Sequence, residues 1–206
     1  MRIGVDFDNT IVSYDALFHK VALERRCIPE SLPATKLCVR DHLRRTGRED
    51  VWTEMQGYVY GARMHEAIAY PGAVTFFEWA CVQGIDLAIV SHKSRHPYAG
   101  QAYDLHEAAR GWVSKFLKRS GKPLIRDAAV HFELTAEEKI ARIAALGLDC
   151  FIDDLPEILL ADGFPARTAR LLFDCDGALP PDGRMPAFRS WEALRRHIEG
   201  LWKKRS

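Results

Sequence analysis

Met1-Arg2-Ile3-Gly4-Val5-Asp6-Phe7-Asp8-Asn9-Thr10 opens the chain. Ile3 to Val5 is a short apolar run ending in two aspartates, Asp6 and Asp8, with one residue between them. A strand buried in a parallel sheet has this form, and the carboxyl ends of such strands are where an α/β sheet gathers its chemistry. Asn9 and Thr10 prolong the polar end. Two carboxylates there can hold a metal and divide the roles of nucleophile and proton carrier.

The same form recurs downstream. Residues 85–90, 150–152 and 169–173 are short, apolar or β-branched runs, and 129–132 is a weaker one; most end in a polar or acidic residue. Helical patterns lie between them. Residues 73–83 follow the Pro71-Gly72 turn. Residues 105–119 carry Leu105, Ala108, Ala109, Trp112, Val113 and Phe116 at helical spacing. Thr135-Ala136-Glu137-Glu138 is a capping-box sequence that starts a helix over 135–146. Trp191, Leu194, Ile198 and Leu201 form the apolar stripe of a terminal helix. Strands alternating with helices specify the α/β class: a Rossmann-like parallel sheet with helices on both faces.

Residues 13–70 break the alternation. They read as helices over 15–26, 36–46 and 51–69, punctuated by Pro29, Pro33 and Gly47. The expected organisation is a core of residues 1–12 and 71–206, with 13–70 as a small helical insert above the carboxyl edge of the sheet. Trp52, Tyr58 and Met64 are its expected core. Gln56, Tyr60, Arg63 and His65 are its candidate pocket residues.

The chain has 206 residues, 48% of them hydrophobic and 28% charged, enough for a sizeable core without disulfides. A net charge of +1 gives no electrostatic reason to expect nucleic acid or a membrane as partner. The basic tail Lys203, Lys204 and Arg205 reads as a solvated helix end. Five cysteines lack CxxC pairing, which suits neither zinc nor a disulfide framework. Cys81 and Cys150 read as small buried hydrophobes. No signal peptide or membrane-spanning run is visible, so a cytoplasmic location is expected.

Four polar sites fall at element ends in a fixed order: Asp6-Phe7-Asp8-Asn9-Thr10, then Ser91, then Lys139, then Asp153-Asp154. Strands of a parallel sheet end on one edge, so these groups can converge. The ordered set resembles the haloacid dehalogenase superfamily, most of whose members are phosphatases. The resemblance covers the chain outside the insert, and the insert is similar to that family's helical cap between the first and second motifs.

The resemblance implies a Mg²⁺-dependent phosphatase acting on a small phosphorylated metabolite. Asp6 would attack phosphorus and form an aspartyl-phosphate. Asp8 would protonate the leaving alcohol and then deprotonate water. Ser91 would hydrogen-bond a transferring oxygen, and Lys139 would neutralise the phosphoryl group; Lys93 and Lys122 compete with Lys139 for that role. Asp6, Asp8 (through its main-chain carbonyl), Asp153 and Asp154 would hold the metal, with Asp153 and Asp154 undistinguished. Asn9, Thr10, His92 and Lys93 are expected to contact substrate. An acid at position 8 disfavours a dehalogenase, since halide leaves without a proton. A phosphomutase of the same superfamily and a phospho-ligand binding protein without turnover are the alternatives, with a monomer or homodimer as the working unit. Asp174-Cys175-Asp176-Gly177 mimics the first motif, but no downstream set follows it, so it reads as an acidic turn after a fifth strand.

Overall fold

The computed structural model describes residues 1–177 and 183–203. Lys204 and Arg205 of the basic tail lie outside the described residues. The chain divides into two compact units. The first comprises Met1–Ile11, Ala69–His92 and Phe116–Ser206, and the second Val12–Ile68 and Lys93–Lys115.

The first unit is built on a six-stranded sheet. Its strands are β1 (Arg2–Val5), β2 (Asp86–His92), β3 (Val130–Glu133), β4 (Cys150–Asp153), β5 (Ala169–Phe173) and β6 (Ala187–Phe188). The order is β6-β5-β4-β1-β2-β3 and every pairing is parallel. β1 is central: Val5 pairs with Ile89 of β2 and with Ile152 of β4. Both its edges are therefore paired, and Ile3 and Val5, which share one face, have no exposed surface. Gly4 between them is required by space, because a Cβ there would lie 2.3 Å from Leu148 and 2.5 Å from Phe151.

The helices are α1 (Asp15–Glu24), α2 (Lys36–Arg45), α3 (Glu49–Tyr60), α4 (Ala73–Val82), α5 (Leu105–Phe116), α6 (Ala136–Leu146), α7 (Pro156–Leu159) and α8 (Trp191–Lys203). On one side of the sheet, Ile143 of α6 and Leu159 of α7 pack with Ala88, Val90, Phe151 and Leu172. Elsewhere on the sheet, Phe76 and Phe77 of α4 meet Trp191 of α8, whose ring also stacks against Phe173. Thr135 and Glu138 make the reciprocal hydrogen bonds of a capping box, and α6 ends at Gly147 in the left-handed conformation.

In the second unit Phe18, Val21, Leu43, Trp52, Met55 and Trp112 are buried. Trp112 donates from Nε1 to the Ala67 carbonyl at 2.8 Å, tying α5 to the segment after α3. The helix expected over 51–69 stops at Tyr60, followed by a short 3₁₀ turn and a two-residue strand, Ile68–Ala69. Its last turn and C-cap carry two glycines that admit a neighbouring segment. A Cβ on Gly57 would strike Pro97 at 2.5 Å, and one on Gly61 would strike Tyr103 at 2.5 Å. The backbone of α3 thus receives the segment after Lys93 directly. That segment groups with 12–68, whereas the sequence reading placed it with the sheet.

Two further expectations are corrected. The helix expected over 105–119 ends at Phe116, because Ser120 and Gly121, both at positive φ, turn Lys118–Arg119 back onto Lys122–Pro123. Cys81 is exposed and its thiol donates to the Leu124 carbonyl, while Cys150 is fully buried as expected.

Candidate active site

Within the first unit, the Asp6 amide donates to the Ile152 carbonyl at 2.8 Å, carrying the β1–β4 ladder one residue past the strand. Phe7 has no exposed surface and packs edge-on against Phe132, with ring centroids 5.5 Å apart. Alternation along extended backbone then gives Asp6 and Asp8 the side opposite Phe7. Asn9 follows at φ +57, a left-handed turn that asparagine tolerates better than most residues. Its choice at this position has a backbone reason besides any ligand contact.

Lys139 is the centre of the site. It projects from the first turns of α6, fully buried, with Nζ 2.7 Å from Asp6 Oδ1 and 2.7 Å from Asp153 Oδ2. Burial alone would depress its pKa; the charges of Asp6 and Asp153 outweigh that and raise it, so it stays an ammonium. Lys122 lies on the exposed hairpin, which removes it as a competitor for the Asp6 contact.

Asp6, Asp153 and Asp154 each bring a carboxylate oxygen to within 4.8 Å of one another. Asp153 is fully buried and accepts from the Leu155 amide at 3.0 Å through Oδ1. Its Oδ2 lies against the Lys139 charge without the alignment of a hydrogen bond, and has no other partner. Asp154 accepts from Thr10 Oγ1 at 3.2 Å. Burial and the neighbouring carboxylates push the pKa of both Asp153 and Asp154 above the ordinary carboxylate range. Three acids against one lysine leave negative charge under-compensated in a desolvated place. A divalent cation with oxygen ligands fits that donor set. The carboxylate of Asp8 is not part of the trio.

A cavity of about 180 Å³ opens on this cluster, lined by Asp6, Asp8, Asn9, Ser91, His92, Asp154 and Leu155. Ser91 and His92 end β2, where Ser91 pairs with Phe132. His92 is held below its ordinary pKa by burial and by Lys139, against the pull of Asp6, Asp8 and Glu157, so it favours the neutral imidazole.

Thr10 and Lys93, both expected to contact substrate, have further contacts. Thr10 has no exposed surface: its hydroxyl holds Asp154, and its carbonyl accepts from Trp191 Nε1 at 3.1 Å. It holds Asp154 and is itself held from the C-terminal helix. The Trp191 contact was invisible in an apolar stripe, which signals packing and not a hydrogen bond. Lys93 belongs to the second unit, with its ammonium 4.5 Å from the Tyr60 ring centroid. Among the candidate residues of the insert, Arg63 is bound to Glu24 and Glu66. His65 is largely exposed, and Trp52 and Met64 are buried. Asp174 and Asp176 follow β5 in a turn, as the sequence reading expects.

No family model and no curated protein matches the chain. Solved structures do. A HAD family hydrolase from Deinococcus radiodurans R1, with bound phosphate and sodium, is 16% identical at a TM-score of 0.55, covering 96% of this chain and 94% of that one. The putative HAD-hydrolase YfnB from Bacillus subtilis, bound to magnesium, is 18% identical at 0.55, covering 96% and 97%. A predicted phosphoglycolate phosphatase from Haemophilus somnus 129PT is 16% identical at 0.55, covering 95% and 96%. Among the described residues, no helix is long and apolar enough to cross a membrane. Sheet order, site and neighbours agree: the chain has the fold of the haloacid dehalogenase superfamily.

Proposed function

We propose that this protein is a phosphatase that hydrolyses a small phosphorylated metabolite through an aspartyl-phosphate on Asp6. The observation that carries the proposal is the Lys139 ammonium, 2.7 Å from both Asp6 and Asp153 beneath a cavity lined by Asp6, Asp8, Ser91 and Asp154. A lysine that only balanced charge would not need a cavity above its partners.

Lys139 holds Asp6 Oδ1, which leaves the other oxygen to attack phosphorus. The new Asp6 O–P bond forms as the bond from phosphorus to the leaving oxygen breaks. Asp8 gives its proton to that oxygen, releasing the alcohol. Asp8, now a carboxylate, removes a proton from water as the water attacks phosphorus, and phosphate leaves Asp6. Ser91 donates to a phosphoryl oxygen throughout. Asp6, Asp153, Asp154 and the main-chain carbonyl of Asp8 would hold Mg²⁺, which when bound offsets the charge that keeps a phosphate anion away from carboxylates. The neighbours that bind phosphate or magnesium support this choice. Residues 13–70 would serve as the cap that selects the leaving group.

The test is phosphate release from p-nitrophenyl phosphate and a panel of phosphorylated metabolites, with and without Mg²⁺. Release that requires Mg²⁺ is expected. Absence of release from every compound, with a phosphorylated ligand still raising the melting temperature, would leave a binding protein and not an enzyme.

A further inference from the structure

Thr10 is held by a hydrogen bond that the proposed chemistry leaves unexplained. The ladder between β1 and β4 ends at the Asp6 amide, and beyond it the chain turns through Asn9 at φ +57. The Ile11 amide closes this turn onto the Phe7 carbonyl at 3.1 Å. The Thr10 carbonyl belongs to neither the ladder nor the turn; it accepts from Trp191 Nε1 at 3.1 Å. The Thr10 hydroxyl donates to Asp154 Oδ1 at 3.2 Å. One residue therefore joins the indole of α8 to a carboxylate of the acidic trio.

The two adjacent acids differ in how they are held. Asp153 accepts from the Leu155 amide and lies against Lys139. Among the described residues, Thr10 is the one hydrogen-bond partner of the Asp154 carboxylate. The aim of Asp154 thus depends on Thr10, and Thr10 is fixed in turn by Trp191. The indole suits that task. It is fully buried among Phe76, Phe77 and Phe173, at centroid distances of 5.0, 6.5 and 5.7 Å. Ser190 Oγ accepts from the Ala193 amide at 3.2 Å, which fixes the start of α8 beside it. A ring held on several sides gives its single N–H one direction. Aromatic packing alone asks for no donor at this position.

We propose that Trp191 is a positioning residue: through the Thr10 carbonyl it fixes the hydroxyl that aims Asp154 at the cation, and so sets the affinity for Mg²⁺. The inference rests on the reading of Asp6, Asp153 and Asp154 as ligands of that cation. A carboxylate already held in its binding orientation loses less freedom when the metal arrives. Partners behind metal ligands change metal affinity by about ten- to a hundredfold.

Calorimetric titration of the full chain with Mg²⁺ tests it, without reference to turnover. Trp191→Phe keeps a ring and loses the donor, and its affinity for Mg²⁺ should fall by about tenfold. Thr10→Val should lose at least as much. The double variant should bind no more weakly than Thr10→Val, because both changes cut one link. Phe77→Leu loosens the same aromatic cluster and spares the hydrogen bond; it should lower the melting temperature and keep the Mg²⁺ affinity within about twofold. Should Trp191→Phe fail to fold, benzothienylalanine at position 191 puts sulfur in place of the N–H on a ring of the same shape, with the same loss expected. Three results would overturn the inference. One is a folded variant lacking the donor at position 191 that binds Mg²⁺ within about twofold of the unsubstituted chain. The second is a loss that multiplies with that of Thr10→Val. The third is an equal loss in Phe77→Leu, which would assign the effect to packing. An unsubstituted chain that binds no Mg²⁺ would instead remove the cation reading, and this inference with it.

Discussion

Two charged clusters in this protein are built on opposite terms. In the first unit Asp6, Asp153 and Asp154 face the single cation Lys139, with Lys139 and Asp153 completely withdrawn from water. In the second unit Arg63 binds Glu24 and Glu66, and Glu66 also binds Lys20, so two acids meet two bases near the surface. The second cluster is balanced and closes on itself, fastening α1 to the turn after α3. The first carries surplus negative charge in a place where charge is costly, which marks it as unfinished without a ligand. Excess charge under burial is a better sign of chemistry than the number of ion pairs.

The sharpest way to break the comparison is to remove one cation from each cluster. Lys139→Met strands three acids and is expected to cost about 3–5 kcal/mol of stability. Any turnover should fall by about a thousandfold or more. Denaturant unfolding and phosphate release measure the two losses. Arg63→Met leaves acids that water can reach, and should shift the melting temperature by only a few degrees.

A smaller effect distinguishes surplus from balance directly. Mg²⁺ should raise the melting temperature of the unsubstituted protein. The rise should shrink in Asp154→Asn and persist in Arg63→Met. A rise untouched by Asp154→Asn would put the cation elsewhere.

The smallest effect is the pH response of the balanced cluster. Hydrogen bonds from Arg63 and Lys20 hold the Glu66 pKa at about 2, below the ordinary 4.5 of a glutamate. The folded-state value is depressed, so its contribution is complete above about 4.5 and fades as pH falls towards 2. Arg63→Met removes that contribution, so the unsubstituted protein should lose slightly more stability than the variant over this interval, as read by thermal melts at each pH. Identical slopes would mean the cluster fastens nothing.

Much of the first cluster was legible in sequence; of the second unit, the first two helices and the buried Trp52 and Met64 were, and the membership of residues 93–115 was not. The first strand reads correctly to the residue, because one buried face demands Ile3 and Val5, the other leaves room only for Gly4, and the strand end carries Asp6. Ser91, Lys139 and the Asp153-Asp154 pair follow from element ends, which a parallel sheet brings together whatever lies between. β2 runs to His92, two residues beyond its apolar run, since its last pairs with β3 need only backbone. The membership of residues 93–115 in the second unit goes with contacts such as those of Pro97 and Tyr103 at Gly57 and Gly61, and periodicity has no sign for close approach. Thr10 is expected to contact substrate because hydroxyls suit phosphate; the fold adds its hydrogen bonds with Asp154 and with a tryptophan far along the chain. Lys93 is expected at the pocket because it follows His92; the fold adds the Tyr60 ring beside its ammonium, which sequence order does not signal.

The division of labour between Asp6 and Asp8 is the central claim, and intact-mass analysis of Asp8→Asn after incubation with a reactive aryl phosphate and Mg²⁺ tests it most directly. An aryl leaving group departs without a proton, whereas the attacking water still needs a base. The account predicts a protein one phosphoryl group heavier, with the group mapped to Asp6 and absent in Asp6→Asn. An unmodified Asp8→Asn protein that still releases phosphate at the unsubstituted rate would contradict it.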